Sequence, residues 1–364
     1  MSSPHYPKCT DWSNSTGKLN ISVFVFRDTG RNGVYDVQDR PLAAIAVEMR
    51  DEAGESLIVR SNIAGFANFQ MSTSEGASAI RSPGKFIFEV VPPPGWAVTT
   101  GNQVQDAEFI LAPGSVSGLA CVEPPSLVGL APHSVLRGQV DSGTLSNPLE
   151  DFRILKGGSV WDQVPIKHPY ATIERRLEPG DYDLQLGQTQ RPVKVGAYPV
   201  DFGTLAPEFS VAQDEAERPW QEIDFETAVL AAIGKVPSGY SGLKWHNFVA
   251  VDNAFYQGEG YINGTVSGRH VVYNGSGHPT EILHEKGFDL LGCHLCLAWI
   301  RSEGETLVVE AYKGDVLVAL DRLELSALGP IWYEPRFAGV TRVRFATEHY
   351  WQFVMDGLWI RHLP

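Results

Sequence analysis

Hydrophobic and polar residues alternate with a period of two along many short stretches of the chain. Near the N-terminus, Val47 and Met49 alternate with charged neighbours, and Phe86, Phe88 and Val90 repeat the pattern. Later examples are residues 182–186 and 307–311. A period of two is typical of a β-strand that buries one face. The pattern therefore predicts an all-β chain of short strands.

Breaks in this pattern divide the chain into consecutive segments. A chain of 364 residues is too long for one ordinary core and suits two or three domains. Stretches rich in proline or acidic residues separate residues 1–127, 128–208 and 222–364, with a linker at 209–221. The sequence thus predicts three β-sandwich modules in a row.

Composition narrows the classes of partner. The 36 glycines and 24 prolines suit tight turns between strands. A formal net charge of −14 argues against nucleic acid, because phosphate binding needs clustered lysine and arginine. No stretch reaches the ~20 apolar residues of a membrane span. The polar residues 1–18 lack the apolar core of a signal peptide, which fits either a cytoplasmic protein or a mature chain whose leader was removed.

Four sequons would accept N-linked glycans if a eukaryotic host secretes the chain. They begin at Asn14, Asn20, Asn263 and Asn274.

An acidic loop after the first strand has the spacing of a calcium loop. The oxygen donors are Asp28, Asn32, the carbonyl of Val34, Asp36 and Asp39. They occupy positions 1, 5, 7, 9 and 12 of an EF-hand-like loop, and a glycine at position 6 permits the sharp turn. Position 3 is Gly30, which has no side-chain oxygen. The spacing predicts Ca²⁺ as a cofactor, and the alternative is a solvated acidic turn.

The sequence around this loop resembles a known extracellular repeat. The motif continues with Ser61-Asn62, with Pro83-Gly84, and with Pro94-Gly95-Trp96. In this order and spacing it resembles the calcium-binding B-type repeat of staphylococcal Ser-Asp-repeat surface adhesins. The resemblance implies an immunoglobulin-like β-sandwich in which Ca²⁺ stiffens an extracellular stalk.

Two of the four cysteines flank the first module. A disulfide between Cys9 and Cys121 would tie its ends together and stabilise it by roughly 4 to 5 kcal/mol. The alternative is two thiols in a cytosolic protein. Cys293 and Cys296 lie three apart on a predicted strand, so their side chains point to opposite faces and do not suit zinc.

The middle segment resembles a second known module. Its motifs are residues 136–140, the turn Pro179-Gly180 followed by Tyr182, and residues 201–205. They resemble the carboxypeptidase regulatory-like β-sandwich, which implies a spacing role.

The C-terminal segment is densest in aromatic residues. Motifs at 239–248, 260–268 and 353–356 are similar to a jelly-roll-like module of PEP-CTERM-type exported proteins and secreted fungal proteins. That resemblance implies a module with a carbohydrate-binding interpretation. Flat aromatic faces suit sugar rings. The candidate ligand-binding residues are Tyr256, Tyr261 and Trp245, and the alternative is that they pack in the core.

Two carboxylates of this segment form a second candidate metal site. Glu226 on the first strand and Asp356 on the last would lie side by side in an antiparallel sheet. Adjacent carboxylates repel unless a cation or proton intervenes. The sequence predicts a structural Ca²⁺ there, and the alternative is two solvated edge residues.

No short catalytic motif is present in the sequence. The modular pattern therefore predicts a non-enzymatic secreted or cell-surface protein with a structural or adhesive role. Its partners would be extracellular proteins or glycans, or further copies of itself. The alternative function is a lectin-like protein that binds carbohydrate through the C-terminal module.

Overall fold

The computed structural model describes residues 19–71, 73, 79–114, 118–142, 151–166, 168, 170–206, 219–256 and 258–363. The chain divides into two compact units, Met1–Ala131 and Pro132–Pro364. Strands dominate both units, which confirms the predicted all-β fold class. Within the described ranges, no helix is long and apolar enough to cross a membrane.

The first unit contains ten strands in two sheets. The strands are β1 Leu19–Arg27, β2 Arg40–Pro41, β3 Ala46–Asp51, β4 Ser56–Arg60, β5 Phe66–Met71, β6 Gly84–Val91, β7 Trp96–Val98, β8 Val104–Leu111, β9 Leu119–Cys121 and β10 Val128–Pro132. One sheet has the order β4-β3-β6-β8-β9, and the other has the order β2-β1-β10-β7 with β5 paired to β1.

Alternating apolar residues of the two sheets form the core of this unit. Val47 and Met49 on β3 are buried, as the pattern predicts. Phe69 on β5 and Phe88 on β6 meet edge to face, with ring centroids 5.2 Å apart. β10 pairs in parallel with β1, so it belongs to this unit.

The second unit contains the remaining strands and one short helix. They are β11 Val135–Asp141, β12 Phe152–Lys156, β13 Ser159–Val164, β14 Tyr170–Arg176, β15 Gly180–Leu186, β16 Thr189–Val195, β17 Val200–Leu205, β18 Gln221–Ile223, β19 Ile233–Lys235, β20 Lys244–His246, β21 Phe248–Asp252, α1 Glu259–Asn263, β22 His270–Asn274, β23 Thr280–Leu297, β24 Thr306–Lys313, β25 Val316–Glu324, β26 Ile331–Tyr333, β27 Phe337–Thr347 and β28 Phe353–His362.

One sheet continues from the middle segment into the C-terminal segment. Its main path is β14-β11-β17-β26-β23-β28-β22-β21-β19. β17 and β26 pair in parallel, with Val200 opposite Trp332 and Asp201 opposite Tyr333. β13, β12, β15 and β16 form a separate four-stranded sheet that closes the core of the middle segment. Whether the middle and C-terminal segments are independent modules stays a prediction, although they share this sheet.

The long strand β23 separates two apolar clusters. Cys293 packs in the main core of the C-terminal segment, which includes Trp245 and Phe248. Cys296 packs in a smaller cluster with Tyr261 and Tyr273. The two sulfurs therefore lie in different apolar environments.

Candidate functional site

The acidic loop of the first unit is organised around the buried carboxylate of Asp28. Its Oδ1 accepts a hydrogen bond from the amide of Asn32 at 3.1 Å, and its Oδ2 accepts one from the amide of Gly33 at 2.7 Å. Gly33 has a φ of +71°, and a Cβ at this position would lie 3.1 Å from the carbonyl oxygen of Thr99. A side chain at this position would be strained by the positive φ and would crowd the Thr99 carbonyl, so the position requires glycine.

Asp39 closes the other end of the loop. Its carboxylate accepts hydrogen bonds from the amides of Thr29 at 2.8 Å and Asp36 at 2.9 Å. Burial raises the pKa of Asp39, and the nearby charges of Asp36 and Asp28 raise it further, against the effect of its backbone hydrogen bonds. A cation among these carboxylates would relieve their repulsion.

The remaining predicted ligands are engaged with one another. The side-chain amide of Asn32 donates to Asp36 at 3.2 Å, and its oxygen accepts from the amide of Val34 at 2.9 Å. Among the described residues, no group of three or more His, Cys, Asp or Glu side chains is arranged to hold a metal ion. Ca²⁺ binding by this loop therefore stays a prediction.

Glu226 and Asp356 each accept hydrogen bonds from backbone amides of one loop, and a structural Ca²⁺ between them stays a prediction. Glu226 follows β18 and accepts hydrogen bonds from the amides of Arg269 and His270, both at 2.7 Å. Asp356 on β28 accepts from the amide of Val266 at 2.7 Å, and its cross-strand partner on β23 is His294. Both carboxylates hold the loop that joins α1 to β22.

Two of the three predicted aromatic ligand residues are buried. Trp245 is 6% exposed and donates its indole N–H to the carbonyl of Tyr240 at 2.9 Å. Tyr261 is fully buried and packs edge to face against Tyr256, with ring centroids 4.9 Å apart. A sugar cannot stack on either buried ring, because the core already covers their faces. Tyr256 is half-buried, and its role stays a prediction.

Burial also corrects two of the predicted glycosylation sites. The side chain of Asn263 is buried and donates to the carbonyl of Ala327 at 2.9 Å. The side chain of Asn274 is fully buried and accepts a hydrogen bond from the amide of Phe353 at 2.8 Å. A glycan has no room at either amide. Asn20 is half-buried on β1 and stays a prediction, and Asn14 lies outside the described residues.

The predicted disulfide stays a prediction because Cys9 lies outside the described residues. Cys121 ends β9 and its sulfur lies 3.2 Å from the carbonyl of Glu123. Burial raises the pKa of the Cys293 thiol, which favours an unreactive, protonated sulfur.

A buried group of charged residues in the second unit was not predicted from the sequence. We call it the ionic cluster, and its members are Arg137, Arg191, Asp201, Asp321 and Tyr333. Arg137 donates to Asp201 at 3.0 Å and also to the backbone carbonyl of Glu324 on β25. The hydroxyl of Tyr333 donates to Asp321 at 2.6 Å. The cluster thus joins β11, β16 and β17 to β25 and β26.

Burial shifts the pKa values of Asp201, Asp321 and Arg191 in the ionic cluster. It raises the pKa of Asp201 to about 6, although the charge of Arg137 and the amide of Gly203 oppose the rise. Burial also raises the pKa of Asp321, against the opposing effects of Thr204, Tyr333 and Arg191. Burial lowers the pKa of Arg191 to about 10, so its guanidinium stays charged at neutral pH.

A cavity of about 160 Å³ lies beside the ionic cluster. It is lined by residues of β11, β14, β17 and β25, among them Arg137, Thr172, Asp201 and Asp321. Its polar lining is suited to ordered water, which would satisfy the charged groups.

Comparisons with known proteins give only distant structural similarities. No family model and no curated protein matches the sequence. A streptococcal ancillary pilin is 14% identical, covers 50% of this chain and 60% of its own, and has a TM-score of 0.23. The shaft pilin SpaA from Lactobacillus rhamnosus GG is 8% identical over 53% of this chain and 99% of its own, with a TM-score of 0.24.

A β-glucuronidase from Bacteroides uniformis is 10% identical over 62% of this chain and 29% of its own, with a TM-score of 0.23. At such TM-scores these similarities carry no argument about the activity of this chain. The three specific module resemblances stay predictions.

Proposed function

We propose that this chain is a non-enzymatic structural or adhesive protein of the cell surface or the secreted fraction. The observation that carries the proposal is the sheet that runs from β17 into β26, together with the ionic cluster beside it. They connect the middle and C-terminal segments directly, as a protein that bears or transmits load requires.

Separating the two halves of this sheet would be costly. The backbone pairing between Val200 and Trp332 would be lost, and so would the hydrogen bond from Arg191 to the carbonyl of Pro335. The two segments are therefore held together by strand pairing and by a buried hydrogen bond, neither of which a flexible linker provides.

Strand β25 supports the self-assembly part of the proposal. In the part of the chain that the structure describes, β25 pairs with β24 alone. Its first half exposes Val316, Leu317 and Leu320. An apolar edge strand is a template for pairing with another chain. A second copy of this protein is the simplest partner for it.

The test measures where the protein is located and whether it forms oligomers. Cells that produce the protein are treated with a membrane-impermeant amine label, and the labelled fraction is compared before and after lysis. We expect labelling of intact cells or of the medium, and sedimentation velocity of the purified chain should show concentration-dependent oligomers. Labelling only after lysis, with a monomer at every concentration, would refute the proposal. Turnover of a polysaccharide by the purified chain would refute its non-enzymatic part.

A further inference from the structure

A shallow cavity in the C-terminal segment combines an exposed tryptophan ring with fixed polar groups. It has a volume of about 190 Å³ and lies between residues 301–306 and the turn at 349–351, so we call it the Trp351 pocket. We propose that it binds one terminal sugar unit of a neutral glycan. This goes beyond the structural role, because the second unit would then also present a ligand-binding site.

One large aromatic side chain is exposed at this pocket. Trp351 lines the cavity and is 37% exposed. The neighbouring Tyr350 does not line it, because its ring packs against His278 with centroids 5.7 Å apart. Exposed aromatic faces give the apolar side of a sugar ring a surface to stack on.

A buried carboxylate fixes the polar side of the pocket. Glu305 accepts hydrogen bonds from the amide of His349 at 2.9 Å and from its Nδ1 at 3.0 Å. The carboxylate of Glu305 is 4% exposed, whereas the His349 side chain is 74% exposed. With Nδ1 held by Glu305, the other ring nitrogen, Nε2, is left to accept a hydrogen bond from a sugar hydroxyl.

The backbone of Trp351 is held in place. The carbonyl of Trp351 accepts a hydrogen bond from Thr347 at 2.7 Å and another from Asn274 at 3.2 Å. On the other side of the pocket, Glu303 accepts from the amide of Ala327 at 2.7 Å. A pocket that is already ordered loses less entropy when a ligand binds.

Size and charge point to one neutral sugar unit. The cavity is smaller than the roughly 300 Å³ at which pockets for drug-sized ligands begin. The exposed Arg301 and Glu303 give its rim charges of both signs. Hydroxyl groups both donate and accept, so a neutral sugar suits such a rim. The net charge of −14 disfavours acidic glycans.

The experiment uses the full chain on an array of neutral, acidic and sulfated glycans, followed by titration of the best hit by ligand-observed NMR. We expect neutral hits, and Trp351→Ala should weaken their binding at least tenfold, as loss of an aromatic anchor does. Trp161→Ala is the matched control, because Trp161 is 46% exposed on β13, away from the pocket. It should leave the affinity unchanged.

Tyr350→Gly is a second control, at the residue next to Trp351. Glycine adopts a positive φ without strain, so this variant should melt no lower than the wild type. Its glycan affinity should be unchanged, because Tyr350 does not line the pocket. No hit among neutral glycans would overturn the proposal. So would a hit whose affinity is unchanged in the Trp351 variant.

Discussion

Arg191 reaches from β16 to the backbone carbonyl of Pro335, which it contacts at 3.1 Å through its Nη1. Its other terminal nitrogen donates to the carbonyl of Phe202, and its charge faces Asp321 and Glu334. Arg191 is 2% exposed, so this guanidinium is compensated entirely inside the protein. It connects the strands of the middle segment to the segment that follows β26.

Replacement of Arg191 should destabilise the second unit strongly. In Arg191→Met the apolar stem is kept, but the carboxylate of Asp321 loses the cation that faces it, whereas Glu334 keeps its ion pair with Arg336. We expect a loss of about 3 to 5 kcal/mol in the free energy of unfolding, measured by urea denaturation.

Arg322→Met is the control for this prediction. Arg322 also pairs with a carboxylate, that of Glu348, but its side chain is 53% exposed. Exposed pairs contribute about 1 kcal/mol or less. Equal destabilisation by both substitutions would show that the buried position of Arg191 does not matter.

Asp201 should make the second unit more stable at mildly acidic pH. Its pKa is raised from 3.8 to about 6, because burial disfavours the charged carboxylate. The folded state therefore holds a proton more tightly than the unfolded state. The resulting stability is fully present below pH 4 and is lost as the pH rises through 6.

Comparison with Asp201→Asn isolates this effect from other titrating groups. The stability of the wild type relative to this variant should fall between pH 4 and pH 7 by an amount on the order of 3 kcal/mol, since one pKa unit corresponds to about 1.4 kcal/mol. Urea denaturation at a series of pH values measures the difference. A constant difference between the two proteins would mean that Asp201 has an ordinary pKa.

The alternation of apolar and polar residues predicts much of this fold. In a half-buried strand, successive side chains point to the buried face and to the exposed face in turn. The alternation is also consistent with the burial of Arg191, which shares its phase on β16 with the buried Val193 and Val195, although a charged residue at that position does not suggest burial. It cannot predict that Asp321 faces Arg191, because that contact depends on the pairing of β17 with β26. A strand pattern carries no information about its distant neighbours.

The sequence also does not predict which aromatic residues are exposed. Trp245 and Tyr261 lie in glycine-rich stretches that favour an exposed position, yet both rings are buried. Trp351 is exposed because it follows the turn after β27, where the chain leaves the sheet. Residue type alone does not separate a core aromatic ring from a binding one.

Reactivity should distinguish the cysteines. Burial raises the pKa of the Cys293 thiol, so iodoacetamide should leave it unmodified in the native protein and modify it after denaturation. Peptide mapping without reductant should also recover Cys9 linked to Cys121 in protein from its natural source. Native labelling of Cys293 would contradict its burial, and an alkylated Cys9 would exclude the disulfide.

Calcium should raise the melting temperature of the first unit if Asp28, Asp36 and Asp39 turn their oxygens toward a cation. A ligand that binds only the folded state stabilises it, so calorimetry of the full chain should show a higher transition in Ca²⁺ than in EDTA. Asp28→Ala combined with Asp36→Ala lowers the transition in both buffers, because Asp28 holds the amides of the loop, but it should abolish the difference between the buffers. Asp106→Ala, at an exposed position on β8, should keep that difference. Identical transitions of the wild type in both buffers would show that the loop is held by its own hydrogen bonds and needs no metal.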